Sequence, residues 1–122
     1  VELTICGRTV HVLNTHLGLW PRERPQQADR LLELLSLSRR DLTILMGDLN
    51  EWHGWGKSLR GLRRVFGSPA APVTFPARWP VLALDRIWIF PAQALLTVEA
   101  HDTPRSRLAS DHLPVKADIY LP

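Results

Sequence analysis

Hydrophobic and polar positions recur with two different periods along this chain, and the change between them marks out the elements. Glu2 to Ile5 and Thr9 to Leu13 are alternating or β-branched runs joined by Cys6-Gly7-Arg8, which predicts a hairpin with Gly7 in the turn. From Arg24 to Ser38 the apolar positions Ala28, Leu31, Leu32 and Leu35 take helical spacing, with Arg30, Glu33 and Arg39 on the other face. This helix is expected to lay one side on a sheet. Asp41 to Met46 predicts a short strand that stops at Gly47. A second helix from Lys57 to Phe66 turns Leu59, Leu62, Val65 and Phe66 inward and Arg60, Arg63 and Arg64 outward.

Ser68 to Pro80 contains Pro69, Pro72, Pro76 and Pro80 and predicts a loop without regular structure, of a length that in a small domain often serves function. Val81 to Phe90 contains a strand with Asp85 set inside an apolar run, and Ala94 to Ala100 is expected as its antiparallel neighbour. A polar loop from His101 to Ala109 leads to a last strand, Leu113 to Leu121. The predicted order, β-β-α-β-α-β-β-β without internal repeat, describes an α/β (α+β) fold: one mixed, mainly antiparallel sheet with helices on one face. At 122 residues and 45% hydrophobic content the chain suffices for a single domain, residues 1–122.

Charge and cysteine content narrow the picture a little. The net charge of +3 rests on an arginine-rich composition, with Lys57 and Lys116 the only lysines among 15 basic residues. The planar guanidinium suits phosphorylated partners, and a compositional bias of the source explains the excess equally well. The single Cys6 excludes an internal disulfide and supplies no zinc cluster. No run reaches the roughly 18 apolar residues of a membrane helix, and no signal core opens the chain. A cytoplasmic location is the expectation.

Polar residues gather at the ends of the predicted strands, as Asn14-Thr15-His16, Gly47-Asp48-Leu49-Asn50 and Ser110-Asp111-His112. Rigid strands bring such ends together at one edge of a sheet, as active sites require. Asp48 and Asn50 stand two apart and project to one side if extended, as a metal ligand or proton acceptor and a phosphate donor; a helix cap or an Asx turn uses the same residues. Asp111 suits a hard cation and His112 proton transfer, although an Asp-His pair also suits a surface turn. Asp85 in a strand needs a partner, either a neighbouring arginine or an imidazole whose tautomer it would fix. His16 ends a strand, as a phosphate contact or a core histidine, while His11, His53 and His101 show no partner at diagnostic spacing.

In combination, Asn14-Thr15-His16, Gly47-Asp48-Leu49-Asn50-Glu51, Thr74-Phe75-Pro76, Leu84-Asp85-Arg86-Ile87 and Ser110-Asp111-His112-Leu113-Pro114-Val115 cover nearly the whole chain. This ordered series resembles the endonuclease/exonuclease/phosphatase superfamily, the DNase I-like metal-dependent phosphoesterases, and in particular its small bacterial members. The resemblance implies that Asp48 orients or deprotonates the attacking water and that Asn50 binds the scissile phosphate. It makes His112 a phosphate contact and proton donor held by Asp85, and His16 a second phosphate-contacting imidazole. Asp111 and Asp48 would hold Mg²⁺ or Mn²⁺, and Asn14, Asn50, His16 and Trp52 would line the substrate site.

The likeness is to the C-terminal half of a four-layer sandwich. It implies that an early asparagine and the principal metal-ligating glutamate belong to a first half with no counterpart here. The bare sheet face would then be covered by that half or by a second copy of the chain, in a homodimer. Trp20, Trp52, Trp55 and Trp79, with Arg22, Arg24 and Arg78, lie in loops after the candidate strands, where they would contact a substrate or cap the core. Two functions follow as expectations. One is a divalent-metal-dependent phosphoesterase acting on a phosphodiester, nucleic acid first and a phospholipid or small phosphate ester second. The alternative is a non-catalytic binding or dimerisation module that keeps the family sheet without a complete metal site.

Overall fold

The computed structural model describes residues 1–37, 42–52 and 56–121. Ser38, Arg39, Asp41, His53 and Trp55, named above, lie outside the described residues. Four strands form the main sheet in the order β1 (Glu2–Ile5), β2 (Arg8–His16), β3 (Leu42–Asp48) and β4 (Asp85–Phe90). The pairs β1–β2 and β3–β4 are antiparallel and β2–β3 is parallel, so the sheet is mixed as expected. The parallel pair follows from the helix α1 (Arg24–Leu37) between its strands, which carries the chain back to the starting edge.

Alternation along the strands assigns each face. Leu45 and Trp88 are paired neighbours that point to the helix side. There they join Ala28, Leu31 and Leu35 of α1 and Leu62 and Phe66 of α2 (Arg60–Phe66) in the principal core. Leu59, in a 3₁₀ turn over Lys57–Leu59 that leads into α2, completes this layer. Both helices therefore cover one face. On the other face Val10, Leu42 and Ile89 are buried, while Val12, Ile44, Met46 and Ile87 are only half-buried.

The expected pairing of the fifth strand needs correction. β5 (Leu95–Ala100) pairs with β6 (Val115–Ile119) in a separate two-stranded antiparallel sheet, not with β4. Pro91 follows β4 directly, has no N–H to give a ladder, and opens a 3₁₀ turn over Ala92–Ala94 that redirects the chain. Sequence neighbours are thereby kept from closing a hairpin. The His101 to Ala109 loop also contains a single helical turn, α3 (Ser106–Ala109), closed by reciprocal hydrogen bonds between Thr103 and Ser106.

Candidate active site

The register of the main sheet builds the site. His16 on β2 stands opposite Asp48 on β3, and Asp48 stands opposite Asp85 on β4. Three chemically active residues thus share one rung at the end of the sheet, and because paired residues point to the same side, all three lie on the face away from the helices. Gly47, one position before, has a positive φ of 138°, and a Cβ there would stand 1.8 Å from the Thr15 carbonyl oxygen. Only glycine lets β2 approach β3 this closely, so Gly47 sets the spacing between His16 and Asp48.

Asp48 uses its two oxygens differently. Oδ1 accepts the backbone N–H of Asn50 at 2.9 Å, an Asx turn that carries the chain off the strand. Oδ2 faces both imidazoles, 3.5 Å from His16 Nε2 and 3.9 Å from His112 Nε2. The turn reading and the catalytic reading of Asp48 and Asn50 are therefore compatible. Asn50 itself has φ of 50°, is only 2% exposed, and donates Nδ2 to the Leu17 carbonyl at 2.6 Å. One amide hydrogen and Oδ1 are left for other partners.

Asp85 takes the imidazole, not a neighbouring arginine. Its Oδ2 lies 2.8 Å from His112 Nδ1 and also accepts a hydrogen bond from Thr74 Oγ1, which is fully buried. With Nδ1–H donated to the carboxylate, Nε2 is the ring nitrogen turned toward Asp48. Phe75 packs its ring on that of His112, with centroids 4.8 Å apart. The segment carrying Thr74 and Phe75 is tied to that of His112 by Leu113 N–H to Thr74 O at 2.9 Å and Ala77 N–H to Asp111 O at 2.7 Å. Thr74 and Phe75 were named only within a motif. Their contacts with Asp85 and His112 arise across the fold, and spacing in the chain carries no sign of them.

Burial works against charge on His112, but the hydrogen bond to Asp85 and the charges of Asp85, Asp48 and Asp111 outweigh it and raise its pKa above 6.5. A raised pKa means that the contribution of His112 to stability is whole below about pH 6.5 and is lost as pH rises through the folded-state value. In the protein kept free of metal, the His112 ring resonances are expected to titrate above pH 6.5, and Asp85→Asn to move the midpoint down. An unmoved midpoint in the variant, followed by NMR, would deny Asp85 this role.

The other expected residues fall in and around this centre. Asp111 is exposed beside His112, its Oδ1 3.4 Å from Ser110 Oγ. His16 is the open wall, its side chain 74% exposed. Asn14 is exposed on the same face of β2 two residues before His16. Trp52 is 45% exposed at the end of the turn that begins with Asp48, with the Arg24 guanidinium 5.8 Å from its ring centroid. Donor atoms of Asp48, Asp85 and His112 lie within 4.8 Å of one another, which is close enough for a shared cation. Asp85 Oδ2, however, is engaged by Thr74 and His112. Mg²⁺ takes oxygen ligands, often one or two carboxylates with several waters, so the open Oδ2 of Asp48 fits such an ion better than the imidazole does.

The sequence pattern of the Endonuclease/Exonuclease/phosphatase family matches residues 3–112. The chain belongs to this family. The uncharacterized protein YbhP of Escherichia coli K12 is 35% identical over 124 residues, covering 94% of this chain and 48% of YbhP. The endonuclease/exonuclease/phosphatase of Bacteroides vulgatus superposes with a TM-score of 0.77 at 19% identity, over 96% of this chain and 51% of that one. The beta toxin of Staphylococcus aureus gives 0.74 at 17% identity, over 98% and 55%. At these identities the likeness to solved structures speaks for a DNase I-like fold. The chain spans about half the length of the curated relatives it matches. Among the described residues, no helix is long and apolar enough to cross a membrane.

Proposed function

We propose that the full-length protein is a divalent-metal-dependent phosphoesterase and that residues 1–122 form the C-terminal half of its catalytic domain. The observation that carries this reading is the line Asp85, His112, Asp48: a buried-edge carboxylate on Nδ1 and a second carboxylate facing Nε2. Such an arrangement holds an imidazolium where charge builds on a phosphoryl oxygen or leaving group. In the proposed reaction Asp48 takes a proton from the attacking water while His112 gives one to the departing oxygen, so the two transfers balance. His16 contacts the phosphate from the open side, and Asn50 steadies it through the amide hydrogen that Leu17 leaves unused.

Asp48 and Asp111 would hold Mg²⁺ or Mn²⁺, which neutralises charge on the phosphoryl oxygens when bound. Val12, Ile44 and Ile87 pack on a second core cluster with Leu95 and Ile119 yet stay half-buried, as does Met46, and their remaining surface is what the rest of the domain, or a second copy, would cover. A phosphodiester of nucleic acid is the first substrate class, favoured by the arginine-rich composition and by the exposed Trp20, Trp52 and Trp79. Phospholipids and small phosphate esters come second. A chelator is expected to abolish hydrolysis by the full-length protein and Mg²⁺ or Mn²⁺ to restore it. Turnover that persists in chelator would contradict metal dependence. Absence of both turnover and saturable metal binding would leave the binding or dimerisation module as the better account.

A further inference from the structure

Asp85 and Arg86 are consecutive on β4, so they point to opposite faces of the sheet. Asp85 meets His112. Arg86 shares the helix side with Trp88 and stands opposite Gly47, whose missing side chain leaves room for it. Although buried, Arg86 donates Nη2 to the Glu51 carbonyl at 3.0 Å, which ties β4 to the turn holding Asp48 and Asn50. The Glu51 carboxylate, also buried, accepts Ser58 Oγ at 2.6 Å from the 3₁₀ turn before α2 and lies 3.8 Å from Arg24 Nε. Arg24, buried at the start of α1, donates Nη1 to the Leu19 carbonyl at 2.8 Å. Leu19 belongs to the loop that follows His16.

Two of the loops that leave the catalytic rung, and β4 itself, are therefore tied to one buried cluster behind it. The loop after β2 is held by Arg24, the turn after β3 by Arg86 and Glu51, and β4 by Arg86 itself. Three bonds from backbone N–H groups complete the frame, Leu17 N–H to Asp48 O at 2.9 Å, Leu49 N–H to Leu84 O at 3.0 Å, and Asn50 N–H to the side-chain Oδ1 of Asp48 at 2.9 Å. Burying three charged side chains is costly, and two polar atoms of the cluster, Arg24 Nε and Arg86 Nη1, have no hydrogen-bond partner among the described residues. Packed apolar side chains would stabilise the same volume at least as well. A costly cluster placed behind two site loops and β4 points to geometry as its purpose.

We infer that Arg86, Glu51 and Arg24 are positioning residues, which fix the Asp48–Asn50 turn relative to Asp85 and His16 from the far side of the sheet. Arg86 lies on the face of β4 opposite Asp85, and Arg24 and Glu51 are buried as it is. The inference deepens the phosphoesterase reading and rests on it for its kinetic consequence. Misplacement of a reacting group by about 1 Å costs about a hundredfold in rate. Arg86→Gln should lower kcat by about that factor with KM changed less than about threefold. Arg86→Lys keeps the charge but not the planar fork and should recover part of the loss. Gly56→Ala offers an independent route without a change of charge, because its Cβ would fall 2.3 Å from the Glu51 carboxyl and push it off Ser58.

The test compares these variants in the full-length protein by steady-state kinetics on a Mg²⁺-activated phosphodiester and by amide hydrogen exchange. The expected result is a fall in kcat at near-constant KM, with loss of protection at Leu17, Leu49 and Asn50 and unchanged protection at Leu45 and Trp88. A lower melting temperature with kcat per folded molecule unchanged would overturn the inference and assign the cluster to stability alone. If the wild type hydrolyses nothing, the phosphoesterase reading fails separately. Exchange then decides, selective loss at the three amides supporting the positioning role and uniform loss or none overturning it.

Discussion

Replacing His112 by alanine is expected to lower turnover by the full-length protein by a factor between about a hundred and ten thousand, the range of a positioned acid or base. The loss should fall on kcat, because in the proposed reaction His112 Nε2 acts on charge that develops in the transition state, whereas the substrate would retain His16 and the metal. Asp85→Asn should reproduce much of this loss. Its Oδ2 holds Nδ1 at 2.8 Å and its charge favours the protonated imidazole, support that a neutral amide cannot give. The double variant should be little worse than His112→Ala if, as proposed, Asp85 acts through the imidazole. Additive losses in kcat would show that Asp85 works by a route of its own.

The second large effect concerns stability. Gly47→Ala places a Cβ 1.8 Å from the Thr15 carbonyl, one rung from the end of the β2–β3 pairing, at a φ of 138° that no side chain tolerates well. Backbone strain and steric crowding each cost on the order of 1–3 kcal/mol, so a loss of about 4 kcal/mol is expected. That is a large share of the roughly 5–15 kcal/mol that holds an ordinary domain together. Urea denaturation should show the midpoint falling with little change in slope. The variant should also lose activity, as His16 and Asp48 are pushed apart. Wild-type stability in Gly47→Ala would mean that β2 and β3 are not paired as described.

Much of the fold was legible where periodicity and turn chemistry agreed. Gly7 does sit in the β1–β2 hairpin, with φ of 76°, and Leu31 and Leu35 of α1 do face the core. The pairing of β5 was not legible, because adjacency in sequence favoured β4 and nothing in the composition named Val115–Ile119 as the partner. The candidate residues were legible by type and by position at strand ends. Their register was not. That His16, Asp48 and Asp85 share one rung depends on the close approach at Gly47, a three-dimensional fact that no spacing in the chain encodes. Arg24, Glu51 and Arg86 escaped notice as a group because charged residues are ordinarily exposed, and only burial sets these apart.

The proposed function requires the carboxylate at the centre of that rung to take part in phosphoester hydrolysis. The most direct measurement is Mg²⁺-dependent hydrolysis of a phosphodiester by the full-length protein, wild type against Asp48→Ala, with folding checked by circular dichroism. A folded variant whose turnover falls to the uncatalysed background is expected. Wild-type turnover in Asp48→Ala would contradict it.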